Sequence, residues 1–145
     1  MVREEGFVTV QRPIHEVFAY VTDPANVPEW QASALEARLE GEGQMRAGAQ
    51  AVEVRKFLGR RMESRMEVLE YEPPRRFKIK VSTGPVPFEA TTELSEESGG
   101  TRVRGVVEGE PGGFFKLAEP IVARALRREL SGNLETLKDV LESRG

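Results

Sequence analysis

Few side chains in this sequence can do chemistry. There is one histidine, His15, and no cysteine. A Ser-His-Asp or Cys-His arrangement would have to be built on His15 or not at all. Without thiolates there is no disulfide, no iron–sulfur cluster and no zinc site that needs sulfur, and a two-histidine metal centre cannot form within one chain. Aspartate occurs twice, at Asp23 and Asp139, against 22 glutamates, so an Asp-rich calcium or magnesium cage is not expected. His15 lies beside Ile14, Val17 and Phe18, which mark the apolar face of a helix; it points away from that face and reads as a solvated residue. Glu53 and Glu63 share their strand parity with Arg55, Arg61 and Arg65, so they read as an ion-paired outer surface and not as a general acid–base pair. The segment GEGQMRAG at residues 41–48 lacks the spacing of a phosphate loop and precedes a strand, which argues against a nucleotide site. No catalytic residue, metal or cofactor is expected from these residues.

The elements that would position such groups fit one domain spanning all 145 residues. The net charge is −3, and the arginine pairs Arg60-Arg61, Arg75-Arg76 and Arg127-Arg128 sit among glutamates instead of forming a basic block. Nucleic acid is therefore not an expected partner. The first residues, MVREEGFVTV, have no apolar stretch of signal-peptide type, and no run is long enough to span a bilayer. The expected location is cytoplasmic, and the expected state a monomer or weak homodimer.

Residues 6–11 alternate weakly and predict a strand. Pro13 fits the first position of a helix carrying Ile14, Val17, Phe18 and Val21 on one face. Thr22-Asp23-Pro24 stops it, and Asp23 can cap a second short turn that begins at Pro24 and ends at Trp30. From Ala32 to Glu108 the period is two, broken by Gly- and Pro-containing turns, as in an antiparallel sheet with one wet face. In this reading Val52 and Val54 point inward, as do Met62, Ser64, Met66 and Val68. Leu69 and Tyr71 break that last parity and predict a β-bulge. From about Phe114 to Glu142 the period returns to 3.6, with Phe115, Val122, Leu126, Leu130, Leu134, Leu137 and Leu141 on one stripe. Leu117 and Ile121 fall off it because Pro120 kinks the helix or starts a new one. The fold class is α+β: six to seven antiparallel strands in a curved sheet, two short helices, and a long C-terminal helix covering the concave face.

This order resembles the START-like, or SRPBCC, superfamily with its helix-grip fold, and most closely the polyketide cyclase/dehydrase-like branch. The resemblance is carried by RPIHEVFAYVTDPANVPEW (Arg12–Trp30), FLGRRMESRMEVLEYEPPRRF (Phe57–Phe77), GGTRVRG (Gly99–Gly105) and LSGNLETLKDVLE (Leu130–Glu142). It implies a ligand cavity between the sheet and the C-terminal helix, with a tryptophan, here Trp30, near its mouth. The walls would be Val52, Val54, Met62, Met66, Phe77, Ile79, Phe88, Ala90, Thr92 and Val103, with Leu126, Leu130 and Leu134 from the helix. Greasy walls with a few polar groups suit a small apolar ligand. Asn133, Ser64 and Thr92 are the expected polar groups, and the Gly-containing loops 41–48, 84–88 and 109–113 the expected lids.

Three functions follow in order of expectation. The first is binding or transport of a small hydrophobic molecule, such as a lipid, polyketide or isoprenoid-like compound. The second is a polyketide cyclase or dehydratase, which an inward Glu or Arg with a strongly shifted pKa would support. The third is a membrane-associated accessory protein, which an outward apolar patch near Phe114 and Phe115 would support.

Overall fold

A computed structural model of the chain describes residues 2–144 apart from 42, 58, 83–86 and 111–117, and apart from the side chain of residue 57. The expected stripe residue Phe115, its neighbours Phe114 and Leu117, and parts of all three expected lids lie outside the described residues. Strand β1 (Val2–Val10) leads into α1 (Ile14–Val21), a 3-10 turn (Pro24–Asn26) and α2 (Val27–Trp30). Six strands follow: β2 (Ala34–Leu39), β3 (Gln50–Phe57), β4 (Arg60–Glu72), β5 (Arg76–Val81), β6 (Phe88–Glu97) and β7 (Gly100–Gly109). Helix α3 (Glu119–Ser143) closes the chain. The expected fold class is what the structure shows. The seven strands form one antiparallel sheet in the order β1-β7-β6-β5-β4-β3-β2. Among the described residues no helix is long and apolar enough to cross a membrane.

Local chemistry accounts for the boundaries. Pro13 is the N-cap of α1 and not its first helical residue. The Asp23 carboxylate accepts the Ala25 amide at 3.0 Å and caps the 3-10 turn, which Pro24 begins. Pro120 stands in the first turn of α3, so it starts this helix; there its missing N–H breaks no intrahelical bond. Between β6 and β7 the link Ser98-Gly99 has φ of 45° and 80°, the left-handed pair that a two-residue hairpin demands. The bulge expected in β4 is present: the register against β5 shifts between Val68 and Glu70, so Val68 and Tyr71 both face inward.

Helix α3 lies chiefly on β1. Two glycines let it come close. A Cβ on Gly105 would sit 3.0 Å from the Leu130 side chain, and one on Gly6 would sit 3.3 Å from Leu134. The C-terminal half of the helix is sealed: Leu134, Leu137 and Leu141 are buried with Val8, Val10, Ile14, Val17, Phe18, Trp30, Leu94 and Val103. Tyr71 packs between Phe18 and Phe77, with ring centroids 5.6 and 6.3 Å away, and meets Phe77 edge-on. Polar bonds stitch the same end to the β1–α1 corner. The Glu142 carboxylate accepts the Gln11 amide and the Lys138 ammonium, both at 2.8 Å. The Lys138 ammonium also donates to the Thr9 carbonyl at 3.3 Å.

That cluster carries an acid sensitivity. The Lys138 ammonium, followed by the Gln11 amide, holds the Glu142 carboxyl below its ordinary value. A carboxylate with a depressed folded-state pKa adds stability above its unfolded pKa and loses it as pH falls through the folded value. Wild type should therefore lose more of its thermal midpoint than Glu142→Gln when pH is lowered from about 6 to about 3. Melting curves by circular dichroism across that range test this; parallel losses in the two proteins would exclude Glu142 as a source.

Candidate functional site

The inward face of the sheet follows from register. Directly opposed residues share a face. Gly6 and Gly105 face α3, and across the strands they align with Thr92, Phe77 and Tyr71. The next inward row toward the start of α3 holds Glu4, Val107, Ala90, Ile79 and Val68. The one beyond holds Val2, Gly109, Phe88, Val81, Met66, Ala51 and Leu39. Ala51, Met66 and Val81 form a second apolar cluster with Leu39, Ile79 and Phe88, separate from the one under the C-terminal half of α3. Met62, Ser64, Phe77, Ile79, Phe88, Ala90 and Thr92 all point inward yet are only half-buried, as are Val122, Leu126 and Leu130 on the helix. Met66, Val103 and Leu134 are buried. Among the described residues, the N-terminal half of α3 thus stands over an apolar bowl whose side chains are only half-buried.

Strand β3 is turned over relative to the sequence expectation. Ala51 opposes Met66, Glu53 opposes Ser64 and Arg55 opposes Met62, so Glu53 and Arg55 point inward. Val52 and Val54 are not cavity walls. They point to the convex face, where Val52 lies between Arg38 and Arg65, and Val54 between Glu36 and Glu63. Both valines are nonetheless buried. Arg38–Glu36 (3.1 Å), Arg61–Glu36 (3.7 Å) and Arg65–Glu40 (2.9 Å) ion pairs hold long alkyl stems across them.

The inward pair is a built polar centre in an otherwise apolar bowl. Glu53 is 2% exposed. The Arg55 guanidinium meets its carboxylate with a two-pronged fork, Nε to Oε2 at 2.8 Å and Nη2 to Oε1 at 3.0 Å. Arg55 Nη1 also donates to the Ser33 hydroxyl at 2.9 Å, and Nη2 to the Gln31 side-chain oxygen. Burial opposes the Arg55 cation, but the hydrogen bonds and charge of Glu53, joined by the charge of Glu129, outweigh it and raise its pKa. Hairpin arithmetic could have found the pair. A two-residue link pairs Phe57 with Arg60, and counting back places Arg55 opposite Met62.

Glu129 stands on the flank of α3 that faces α2. Among the described residues, one of its carboxylate oxygens, Oε1, is shielded from solvent and has no hydrogen-bond partner, and the buried indole N–H of Trp30 has none either. Glu129 lines a groove of about 540 Å3 with Ala32, Ile121, Arg124, Ala125, Arg128, Gly132, Asn133 and Thr136. The charge of Glu129 also acts on Arg55.

The other expected polar residues are placed less favourably. The Asn133 side-chain oxygen accepts the Ala32 amide at 3.0 Å, which ties α3 to the chain after α2. Trp30 belongs to the buried core. Ser64 neighbours Glu53, but Thr92 does not join it. Met66, Val81 and Phe88 stand in one row, with Ser64 beyond it on one side and Thr92 on the other. That separation is about 20 Å along an extended strand. His15 is exposed. No group of three or more acidic or histidine side chains among the described residues could hold a metal ion. The arrangement can bury an apolar molecule against the half-buried side chains of the bowl.

A family model described as polyketide cyclase / dehydrase and lipid transport matches residues 1–142. No curated protein matches the chain. Among solved structures, a START superfamily protein from Mycobacterium smegmatis superposes with a TM-score of 0.85 at 12% identity, over 99% of both chains. A protein from Thermus thermophilus gives 0.80 at 19% identity, again over 99% of both. The di-domain ARO/CYC protein BexL of the BE-7585A biosynthetic pathway gives 0.75 at 20% identity, over 96% of this chain and 46% of that one. At these identities the likeness is one of fold.

Proposed function

The chain belongs to the polyketide cyclase / dehydrase and lipid transport family, and on that premise we propose that it binds or carries a small hydrophobic molecule between the sheet and α3. Lipid, polyketide and isoprenoid-like compounds all fit this description. The observation that carries the reading is that, among the described residues, inward apolar side chains on four elements (Met62, Ile79, Phe88, Leu126) stay half-buried. Ordinary cores are packed to crystal density. Apolar ligand surface would bring about 25 cal/mol for each Å2 removed from water. Met62, Ser64, Met66, Phe77, Ile79, Phe88, Ala90, Thr92, Leu126 and Leu130 are the proposed contacts.

Titration with a fluorescent fatty-acid probe should show saturable binding that unlabelled apolar competitors reverse. Leu126→Trp, which fills the bowl from the helix, should weaken the probe by at least about tenfold while leaving the circular dichroism spectrum intact. A chain that takes up no probe, or a tryptophan variant that binds as well as wild type, refutes the reading.

The inward Glu53, Arg55 and Glu129 favour a second reading, a cyclase or dehydratase on a poly-β-ketone-like substrate. Glu53 is held by Arg55, which leaves Glu129 as the general base of this second reading. Incubation with a poly-β-ketone thioester, with loss of cyclised product in Glu129→Gln, would establish it; equal product from both proteins would exclude it.

A further inference from the structure

We infer that a second copy of this chain pairs with it edge to edge through β2, about a two-fold axis at Ala37. β2 is the last strand of the sheet, with β3 on one side only. An open edge is a template for another strand. The Glu40 amide donates to the Gln50 carbonyl, and hydrogen-bonded pairs recur at every second residue of an antiparallel ladder. Arg38 and Glu36 therefore bond to their register partners in β3, Val52 and Val54. The N–H and C=O groups of Ala37 and Leu39 point to the open side, and among the described residues no hydrogen bond from outside the sheet is made to them. The opposite edge is not free in this way: α3 lies on β1, and Lys138 donates to its Thr9 carbonyl.

The strand is its own complement. In an antiparallel pair centred on Ala37, Leu35-Glu36-Ala37-Arg38-Leu39 sets Ala37 against Ala37, Glu36 against Arg38 of the second copy, and Leu35 against its Leu39. The backbone agrees with this register. Ala37 opposite Ala37 is a hydrogen-bonded pair, so Glu36 and Arg38 fall at the non-hydrogen-bonded positions, where facing side chains are closest. Both side chains are more than half exposed, and their 3.1 Å contact within the chain is of the surface kind that contributes little. They are free to turn to the second copy. α2 and the 3-10 turn pack beside β2, yet Leu35, Glu36 and Arg38 remain exposed. The bulge between Ala34 and Glu36 falls at the ends of the new ladder, outside the charge pairs. A two-fold contact of this kind closes on itself and stops at a dimer. The edge has only six residues, so the association is weak and depends on concentration.

Sedimentation equilibrium of the whole chain, carried to about 1 mM so that even a millimolar dissociation constant is seen, should show monomer in equilibrium with dimer. Glu36→Arg sets arginine against arginine, and Arg38→Glu sets glutamate against glutamate. Each variant alone, with its circular dichroism spectrum unchanged, should dimerise at least about tenfold more weakly than wild type. Mixed in equal amounts, the two variants should pair with each other, because each supplies the charge that the other now lacks. The chain carrying both exchanges should dimerise as wild type does. A wild type that stays monomeric throughout overturns the inference. So does a dimer that either single reversal leaves intact, or a mixture of the two reversed chains that does not associate.

Discussion

Arg55→Met and Glu53→Leu should each destabilise the protein by about 3–5 kcal/mol in equilibrium denaturant unfolding, and the double variant should recover most of that loss. Either single change strands its partner as an uncompensated charge on the inward face. Glu53 is the worse placed of the two, because it is 2% exposed and its carboxylate is neutralised by the Arg55 fork at 2.8 and 3.0 Å. Replacing both removes the desolvation cost together with the attraction. An exposed Glu–Arg pair would behave differently, with each single variant costing less than about 1 kcal/mol. Losses of that smaller size would place the pair in solvent and take away the polar centre of the bowl.

Leu137→Ala should cost about 2–5 kcal/mol, whereas Leu126→Ala, the same truncation on the same stripe of the same helix, should cost less than about 1 kcal/mol. Leu137 is fully buried in the cluster beneath the C-terminal half of α3. Its removal leaves a cavity that its neighbours cannot collapse into. Leu126 is only half-buried, so its truncation removes less buried surface and leaves no closed cavity. The difference is read from paired denaturation curves with equal slopes. Equal costs at the two positions would mean that the bowl is closed and filled, which would also end the ligand-binding reading.

Sequence periodicity described the elements more faithfully than it described the site. The return to a 3.6 period placed α3, and the misfit of Leu69 and Tyr71 located the bulge in β4, because both are properties of a single segment. The orientation of β3 is not. Alternation divides Val52 and Val54 from Glu53 and Arg55, but it does not say which set faces the helix. The usual assumption that apolar residues face inward fails here. The convex surface buries the two valines under ion-paired arginine stems, while the bowl accepts a charged pair because its partners come from the chain after α2. Those partners, Gln31 and Ser33, lie more than twenty residues before Arg55 in sequence, beyond the reach of any local pattern. Glu129 is concealed in the same way. On a helical wheel it is one more acidic residue beside the stripe, and nothing in that pattern tells that one of its oxygens is shielded.

The uneven seating of α3 bears on how such a chain can diversify. Its last turns carry the stability, through Leu134, Leu137, Leu141 and the Glu142 cluster, while its first turns carry the contacts a ligand would meet. On the ligand-binding reading, inherited changes at Val122 or Leu126 can therefore reshape what is bound at little risk to folding. A single helix divides in this way into a fixed anchor and a variable reader, and descendants of one ancestral chain could exchange one ligand for another without rebuilding the core.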